Sequence, residues 1–245
     1  MNLKRLLNGI ETIDIVGDTD IDIRSINYNS QKIEKNDIFV AIKGLKTDGH
    51  KYINSAIKNG AKAIVLEDMP ENIEEDIIYI RVLDSRNTLA RLSSIYYNNP
   101  SKELNLIGIT GTNGKTTTSY ILKSIYEAAG HRVGIIGTIG NIIGDELIET
   151  NTTTPDSLEL QRDFRIMKDR GIDTVIMEVS SHALDLDRVA YSDFDIGVFT
   201  NLSVDHLDYH KDLEDYLNAK KKLFKLTSKK NIINLDEDSG KSIIE

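Results

Sequence analysis

The sequence predicts an α/β protein with a small N-terminal domain at residues 1–100 and a second domain, built on a mostly parallel sheet, at residues 101–245. Three observations support this prediction. Apolar runs of strand length alternate with helical patterns. A Pro-Ser-Lys segment at residues 100–102 resembles a linker between two such series. A glycine-rich loop follows a strand and precedes a helix at residues 108–118.

The N-terminal domain contains four segments with the alternation or apolar character of strands, at residues 21–27, 37–42, 63–66 and 77–82. A helical pattern at residues 50–59 ends at Gly60, and a second helix begins with Asn87 as its cap and runs to about residue 97. Together these segments predict one small α/β domain.

The second domain repeats this alternation on a larger scale. Strands are predicted at residues 104–109, 132–136, 173–179, 195–200 and 231–235, with a hairpin at 139–150 that turns near Gly144. Helices are predicted at residues 115–129, 152–171 and 213–226, the second with Thr154 as cap and Pro155 in its first turn. Ligands of such sheets bind beyond the carboxyl ends of the strands.

The composition limits the classes of function. A hydrophobic content of 40% and a charged content of 28% are typical of a soluble globular protein. The net charge of −9 disfavours binding to nucleic acid or to an anionic membrane, because both require a basic face. The chain has no cysteine and no apolar run of about 18 residues. We expect a cytoplasmic monomer that does not insert into a membrane.

The loop at residues 108–118 has the features of a phosphate-binding loop. Gly111 and Gly114 allow the backbone to curl and present N–H groups to an anion, and the following helix start adds further donors. Lys115 is placed to reach the terminal phosphates of a nucleotide, and the Thr116 hydroxyl to bind its Mg²⁺. The loop is one residue shorter than the common pattern. The alternative is a glycine-rich turn without a ligand.

Polar side chains follow two further strands of the predicted sheet. Glu178 lies near the end of one strand, and the segment 201–210 after the next contains two aspartates and two histidines, among them His206. Carboxylate and imidazole groups beside a nucleotide suit a second Mg²⁺ site, where the metal neutralises charge on the γ-phosphate. The alternatives are an ion pair for Glu178 and a solvated loop for 201–210.

Two clusters on predicted helices have both a functional and a structural interpretation. The three threonines at residues 152–154 form either a helix cap or a row of donors for an anionic substrate. The lysines at residues 220–222 form a basic helix face, which we interpret as solvated for Lys221 and Lys222.

Several segments resemble the Mur ligases of peptidoglycan synthesis, which are ATP-dependent enzymes that join an amino acid to a UDP-linked peptide. The segments are GTNGKTT at 111–117, NTTTPD at 151–156, MEVSSHAL at 177–184, DHLDYH at 205–210 and DIFVAIKG at 37–44. The phosphate loop fits all members of the family and folylpolyglutamate synthetase. The threonine and MEVSSHAL segments resemble the branch that adds the third residue of the peptide.

The resemblance implies roles for particular residues. The nucleotide would be bound by the phosphate loop, that is Gly111, Thr112, Asn113, Gly114, Lys115, Thr116 and Thr117. UDP-N-acetylmuramoyl-dipeptide would be held at its UDP part by Ser30, Leu45, Lys46 and Thr47, and at its muramoyl-peptide part by Thr153, Thr154, Ser180 and Arg188. Magnesium would be bound by Thr116, Glu178, His206 and a carbamylated Lys220. The catalytic set would be Lys115, Lys220, Glu178 and His206.

The resemblance also implies a reaction, and the length of this sequence departs from that of the family. The family activates a carboxylate with ATP as an acyl phosphate, which the incoming amine, diaminopimelate or lysine in this branch, converts to an amide. The family has a third domain that brings the amino acid, and the sequence ends before such a domain. We therefore expect a truncated ligase. The alternatives are a non-catalytic module that binds nucleotide or UDP-substrate, and another Mur or folylpolyglutamate-type ligase.

Overall fold

The structure is a computed structural model that describes residues 1–44, 47–205 and 208–244. It divides the chain into two compact units, Met1–Tyr96 and Tyr97–Glu245. The sequence prediction put the boundary of the two domains at residues 100 and 101.

The first unit contains one five-stranded sheet. Its elements are α1 Leu3–Leu6, β1 Asp14–Val16, β2 Ile26–Asn27, β3 Asp37–Val40, α2 Ile53–Lys58, β4 Ala61–Leu66, β5 Ile78–Arg81 and α3 Ser85–Tyr96. The strand order is β1-β5-β4-β3-β2, with β1 antiparallel to β5 and the other pairs parallel. Strands β3 and β4 are buried along almost their whole length, as expected of parallel strands covered on both faces.

Two predictions for this unit were wrong in their boundaries. Of the segment predicted as a strand at 21–27, strand β2 contains only Ile26 and Asn27, because the Ile23 N–H donates to the carbonyl of Met1 instead of joining the sheet. Helix α3 begins at Ser85, before the predicted cap at Asn87, because the Asp84 carboxylate accepts the N–H groups of residues 86 and 87 at 2.9 Å.

The second unit contains a seven-stranded sheet. Its elements are β6 Asn105–Thr110, α4 Lys115–Ala128, β7 Val133–Gly137, β8 Gly140–Ile143, β9 Glu146–Ile148, α5 Ser157–Asp169, β10 Thr174–Glu178, α6 Ser181–Asp185, β11 Phe194–Phe199, α7 Leu213–Lys225, β12 Thr227–Ile233 and α8 Asp238–Ile244. The order is β12-β11-β6-β10-β7-β8-β9, and the first five strands are parallel. The predicted mostly parallel α/β sheet is confirmed.

Helices cover both faces of this sheet. On one face, Phe164 and Met167 of α5 and Leu223 of α7 pack against strand residues such as Val175. On the other face, Leu122 and Tyr126 of α4 lie over Ile107 and Ile176. Burying a side chain the size of Phe164 stabilises the fold by about 2–3 kcal/mol. This packing fixes the strand ends from which the site is built.

The connections after β6 and β10 leave in opposite directions. The chain runs from β6 through α4 to β7 on one side, and from β10 through α6 to β11 on the other, although β6 and β10 are neighbours. A crevice forms at the carboxyl ends of the strands where connections diverge in this way. The loops after β6, β10 and β11 therefore meet at one place.

The prediction for the start of α5 was wrong. The helix begins at Ser157 with Asp156 in the N-cap position, so Thr154 and Pro155 precede it. The Thr154 hydroxyl does not cap the helix because it donates to the carbonyl of Glu178 at 2.9 Å. Thr154 is therefore held to the end of β10, which brings the 152–154 segment to the crevice.

Within the part of the chain that the structure describes, no helix is long and apolar enough to cross a bilayer.

Candidate functional site

The phosphate loop joins β6 to α4 through two glycines with positive φ. Gly111 has φ +147° and Gly114 has φ +84°, which side chains with a Cβ rarely adopt. A Cβ on Gly111 would also overlap the Thr200 hydroxyl. The backbone N–H groups at the start of α4 thus open onto the crevice with the positive end of the helix dipole.

The segment after β11 holds this loop in place. Asn201 accepts hydrogen bonds from the N–H of Thr112 at its carbonyl and from the N–H of Asn113 at its side chain, both at 2.9 Å. The Thr200 hydroxyl donates to the carbonyl of Asn113 at 2.7 Å. These hydrogen bonds tie the phosphate loop to the segment after β11.

Lys115 folds back over its own loop. Its Nζ donates to the carbonyls of Gly111 and Thr112, both at 2.9 Å. Burial lowers the pKa of the Lys115 ammonium, while the carboxylates of Glu178 and Asp205 act in the opposite direction. The ammonium group lies between the loop and the acidic side of the crevice.

Glu178 lies at the end of β10 and is almost completely buried, with 1% of its surface exposed. Its carboxylate accepts hydrogen bonds from the Thr116 hydroxyl at 2.9 Å and from the N–H and hydroxyl of Thr138 at 3.0 and 3.1 Å. A Cβ on Gly137 would overlap the Glu178 carboxylate. The end of β7 therefore positions Glu178 beside the phosphate loop.

Thr154, Ser180 and Arg188 form the opposite wall of the crevice. The Thr154 hydroxyl accepts the N–H of Ser180 at 3.1 Å, and the Ser180 side chain caps α6 by accepting the N–H of Ala183. Arg188 donates through its Nη1 to the carbonyl of Thr154 at 3.1 Å. Its Nε is 3.0 Å from Asp156 Oδ1, an ion pair without a hydrogen bond. This wall presents hydroxyls and a guanidinium, groups that bind anionic ligands.

The two walls enclose one cleft of about 490 Å³. Its lining residues are Thr112, Asn113, Gly114, Lys115, Thr116, Thr117, Thr138, Thr152, Thr153, Thr154, Glu178, Ser180, His182 and Arg188. The structure thus brings together most of the residues that the sequence predicts for nucleotide and muramoyl-peptide. Their polar and cationic character suits a phosphorylated ligand.

Lys220 is buried on α7, outside the lining of the cleft. It is 1% exposed, and its Nζ lies 4.2 Å from the centroid of the Tyr216 ring. Burial and the nearby Lys115 lower the pKa of Lys220 to about 7, although Asp205 acts in the opposite direction. The lowered pKa makes the uncharged, nucleophilic amine form of Lys220 easier to reach near neutral pH than that of an ordinary lysine.

The donors near the phosphate loop suit magnesium in type. The Thr116 hydroxyl and the Glu178 carboxylate are hard oxygen ligands 2.9 Å apart. Among residues 1–44, 47–205 and 208–244, no three or more Asp, Glu or His side chains are grouped as a metal site. His206, the other predicted ligand, lies outside the described residues.

The UDP-binding residues predicted from the resemblance belong to the first unit. Ser30 is buried at the start of a short 3-10 helix, and its carbonyl accepts from Asn59 at 2.8 Å. The Thr47 hydroxyl is 3.3 Å from the hydroxyl of Tyr52. Leu45 and Lys46 lie outside the described residues.

Sequence reasoning missed Gly137 and Thr138, and it noted His182 after a predicted strand without giving it a role in the site. Gly137 ends β7 and Thr138 follows it, so that the Thr138 N–H donates to the Glu178 carboxylate at the end of the neighbouring strand. The rule that identified Glu178, a polar residue at the carboxyl end of a strand, would also have selected Thr138. His182 lines the cleft from the first turn of α6, a five-residue helix that periodicity does not detect.

A parallel sheet with a glycine loop between strand and helix at its centre defines an α/β protein of the phosphate-binding-loop class. The family model for the Mur ligase middle domain matches residues 109–245, more than half of the chain. A second model, described as Mur ligase family, catalytic domain, matches residues 22–97. The chain belongs to the Mur ligase family.

The relatives are similar along the whole of this chain. A UDP-N-acetylmuramoyl-L-alanyl-D-glutamate--2,6-diaminopimelate ligase of Clostridium tetani (strain Massachusetts / E88) is 51% identical over 247 residues, covering 100% of this chain and 51% of that ligase. A ligase of the same name from Clostridium perfringens (strain 13 / Type A) is 49% identical and covers 100% and 50%. The chain spans about half the length of the curated relatives it matches.

Solved structures share the fold. A UDP-N-acetylmuramoyl-L-alanyl-D-glutamate--2,6-diaminopimelate ligase superimposes with a TM-score of 0.83 at 30% identity, covering 100% of this chain and 49% of that chain. The MurF ligase from Thermotoga maritima in complex with ADP superimposes with a TM-score of 0.58 at 25% identity, covering 90% and 48%.

Proposed function

We propose that this chain supplies the nucleotide-binding and UDP-substrate-binding parts of an ATP-dependent ligase. The ligase adds 2,6-diaminopimelate to UDP-N-acetylmuramoyl-L-alanyl-D-glutamate in peptidoglycan synthesis. The observation that carries the proposal is the single cleft in which the phosphate loop and Glu178 face Thr154, Ser180 and Arg188. The names of the relatives support the choice of amino acid and of UDP-linked substrate.

The arrangement suits acyl phosphate formation. ATP would lie with its phosphates on the N–H groups of residues 111–117, and the ADP complex of the Thermotoga maritima relative supports nucleotide binding at this fold. Arg188 and Ser180 would hold the anionic substrate on the other wall, with its carboxylate directed at the γ-phosphate. That carboxylate forms a bond to phosphorus as ADP leaves. The amine of diaminopimelate then displaces phosphate and forms the amide.

Lys115 and Glu178 have separate roles in this proposal. The Lys115 ammonium would exchange its two carbonyl partners for phosphate oxygens and stabilise the transferring group. Thr116, Glu178 and His206 would hold Mg²⁺, which supplies neutralisation of the phosphate charge. Thr138 keeps the Glu178 carboxylate in place at 3.0 and 3.1 Å.

Lys220 and residues of the first unit complete the set of residues that we propose to bind the metal and the substrate. The lowered pKa of Lys220 makes its amine available for reaction with CO₂, and the resulting carbamate would be a further anionic metal ligand. Ser30 and Thr47, with Leu45 and Lys46, would bind the UDP part of the substrate.

Titration of the chain with ADP and a nonhydrolysable ATP analogue, each with Mg²⁺, tests the nucleotide site. Lys115→Ala should weaken binding by about 10- to 100-fold, because charge-assisted hydrogen bonds to phosphate are lost. Lys123→Ala is a matched control on the same helix, since Lys123 pairs with Glu127. Equal affinity of the chain and of Lys115→Ala would refute the nucleotide site.

Binding of the UDP-linked substrate tests this assignment against the alternative of a folylpolyglutamate-type ligase. UDP-N-acetylmuramoyl-L-alanyl-D-glutamate should raise the unfolding midpoint of the chain, while a folate substrate should not. Phosphate release that requires ATP, this substrate and diaminopimelate distinguishes a ligase from a module that binds without turnover. Release that proceeds equally with lysine would refute the assignment of the amino acid.

A further inference from the structure

His210 lies buried between two helices and has a partner on each ring nitrogen. It is 2% exposed. Its Nε2 is 2.9 Å from the hydroxyl of Ser181 at the start of α6, and its Nδ1 is 3.3 Å from Asp215 Oδ2 in the first turn of α7. The imidazole therefore connects α6 to α7.

The partners determine which nitrogen bears the proton. A carboxylate accepts hydrogen bonds, so Nδ1 donates to Asp215, while Nε2 is hydrogen-bonded to the Ser181 hydroxyl. Ser181 is 1% exposed. Its neighbour Ser180 lies in the cleft. A change at His210 is thus transmitted to the wall that holds Ser180.

An Asp, a His and a Ser in this order have the connectivity of a hydrolytic triad. A nucleophilic serine must meet its substrate, whereas Ser181 is buried and is not among the residues that line the cleft. The arrangement therefore acts on the position of the wall and not as a nucleophile.

The other side of the His210 ring contacts a residue that reaches the phosphate loop. The ring centroids of His210 and Tyr216 are 5.0 Å apart. Tyr216 is 1% exposed, and its hydroxyl is 3.3 Å from the Thr112 hydroxyl. The same tyrosine ring lies under Lys220. A continuous path of contacts thus runs from Ser181 through His210 and Tyr216 to Thr112.

We propose that His210 is a positioning residue that couples the phosphate loop to the opposite wall of the cleft, through Tyr216 on one side and Ser181 on the other. The significance of this coupling for ligation depends on the proposed function, but the mechanical coupling itself does not. Loss of the Ser181–His210 hydrogen bond loosens Thr112, although Ser181 is neither part of the loop nor among the residues that line the cleft.

Amide hydrogen exchange of residues 111–114 in the 245-residue chain tests the coupling without a ligand. Ser181→Ala and His210→Phe should each raise exchange in the loop by about three- to tenfold, the range of one ordinary hydrogen bond. His210→Gln, which keeps a side-chain group able to hydrogen-bond Ser181, should stay within about twofold of the parent chain. The double variant Ser181→Ala/His210→Phe should exchange no faster than either single variant.

A matched control separates positioning from general loss of stability. Ser192 is also buried in this unit, 3% exposed, and accepts a hydrogen bond from Gln161 at 3.2 Å. Ser192→Ala should lower the unfolding midpoint comparably yet leave exchange at 111–114 unchanged. The affinity for Mg²⁺-ADP, measured in the same set, should follow loop exchange.

Three results would overturn the proposal: unchanged loop exchange in both single variants, additive effects in the double variant, or an equal effect of Ser192→Ala. Covalent labelling of Ser181 by a fluorophosphonate would also overturn it, because a reactive serine is a nucleophile. If loop exchange responds as expected while ADP fails to bind the parent chain, the coupling stands and the proposed function fails.

Discussion

Replacing Lys220 by methionine should stabilise the protein, and more strongly at low pH than at high pH. Lys220 is 1% exposed, and burial together with Lys115 lowers its pKa from 10.5 to about 7. Methionine fills a similar volume without a charge, and its sulfur packs well against an aromatic ring such as that of Tyr216. The substitution therefore removes the desolvation penalty and keeps most of the packing.

The direction of this pH dependence of stability follows from proton linkage. The unfolded chain binds the Lys220 proton more tightly than the folded chain, so the penalty is fully present below pH 7 and disappears as the pH rises toward 10.5. The difference between 10.5 and about 7 corresponds to roughly 5 kcal/mol. Between pH 6.5 and 9.5 the penalty falls by about 3 kcal/mol.

Denaturant unfolding at pH 6.5 and 9.5 in CO₂-free buffer measures this difference. Lys220→Met should exceed the parent chain by about 2–4 kcal/mol at pH 6.5 and by about 1 kcal/mol or less at pH 9.5. Lys221→Met, a partly exposed neighbour on α7, controls for the loss of one positive charge. A gain that is the same at both pH values, or a loss at pH 6.5, would refute the argument from burial.

Three further predictions concern Gly137, Arg188 and Lys220. Gly137→Ala should destabilise the fold by about 1–3 kcal/mol and weaken the Mg²⁺ dependence of ADP binding, because the added Cβ overlaps Glu178. Denaturant unfolding measures the loss of stability, and titration with ADP measures the Mg²⁺ dependence. A normal Mg²⁺ dependence would contradict this prediction. Arg188→Ala should weaken binding of UDP-N-acetylmuramoyl-L-alanyl-D-glutamate by about tenfold and leave Mg²⁺-ADP affinity within about twofold, as calorimetry with each ligand can check. ¹³C-bicarbonate should produce a carbamate resonance in the NMR spectrum of the chain that is absent from Lys220→Met; a resonance in both would place the carbamate elsewhere.

The phosphate loop was predictable because its determinants are local. Gly111, Gly114 and the helix that begins at Lys115 lie within a few residues of one another, and their conformations follow from steric limits on φ and from helix-end chemistry. The same holds for the alternation of strands and helices in the sequence, which indicates a mostly parallel sheet.

The start of α5 shows where local reasoning fails. Thr154 followed by Pro155 has the chemistry of a helix start. The hydroxyl instead bonds the carbonyl of Glu178, twenty-four positions along the chain, and the helix begins at Ser157. A long-range partner outcompetes a cap when the strand end lies within reach, and sequence alone does not give that distance.

By itself, then, the sequence determined the phosphate loop, the α/β class and the resemblance to Mur ligases, since each depends on residues close together in the chain. Tertiary structure decided that Gly137, Thr138 and Glu178 meet, because neighbouring strands β7 and β10 bring their carboxyl ends together. It also decided that Lys220 is buried while Lys221 and Lys222, its neighbours in the basic run, are partly exposed. Whether a side chain is buried, and whether it is charged, depends on its position in the fold. That position is set by contacts between segments that are distant in the chain.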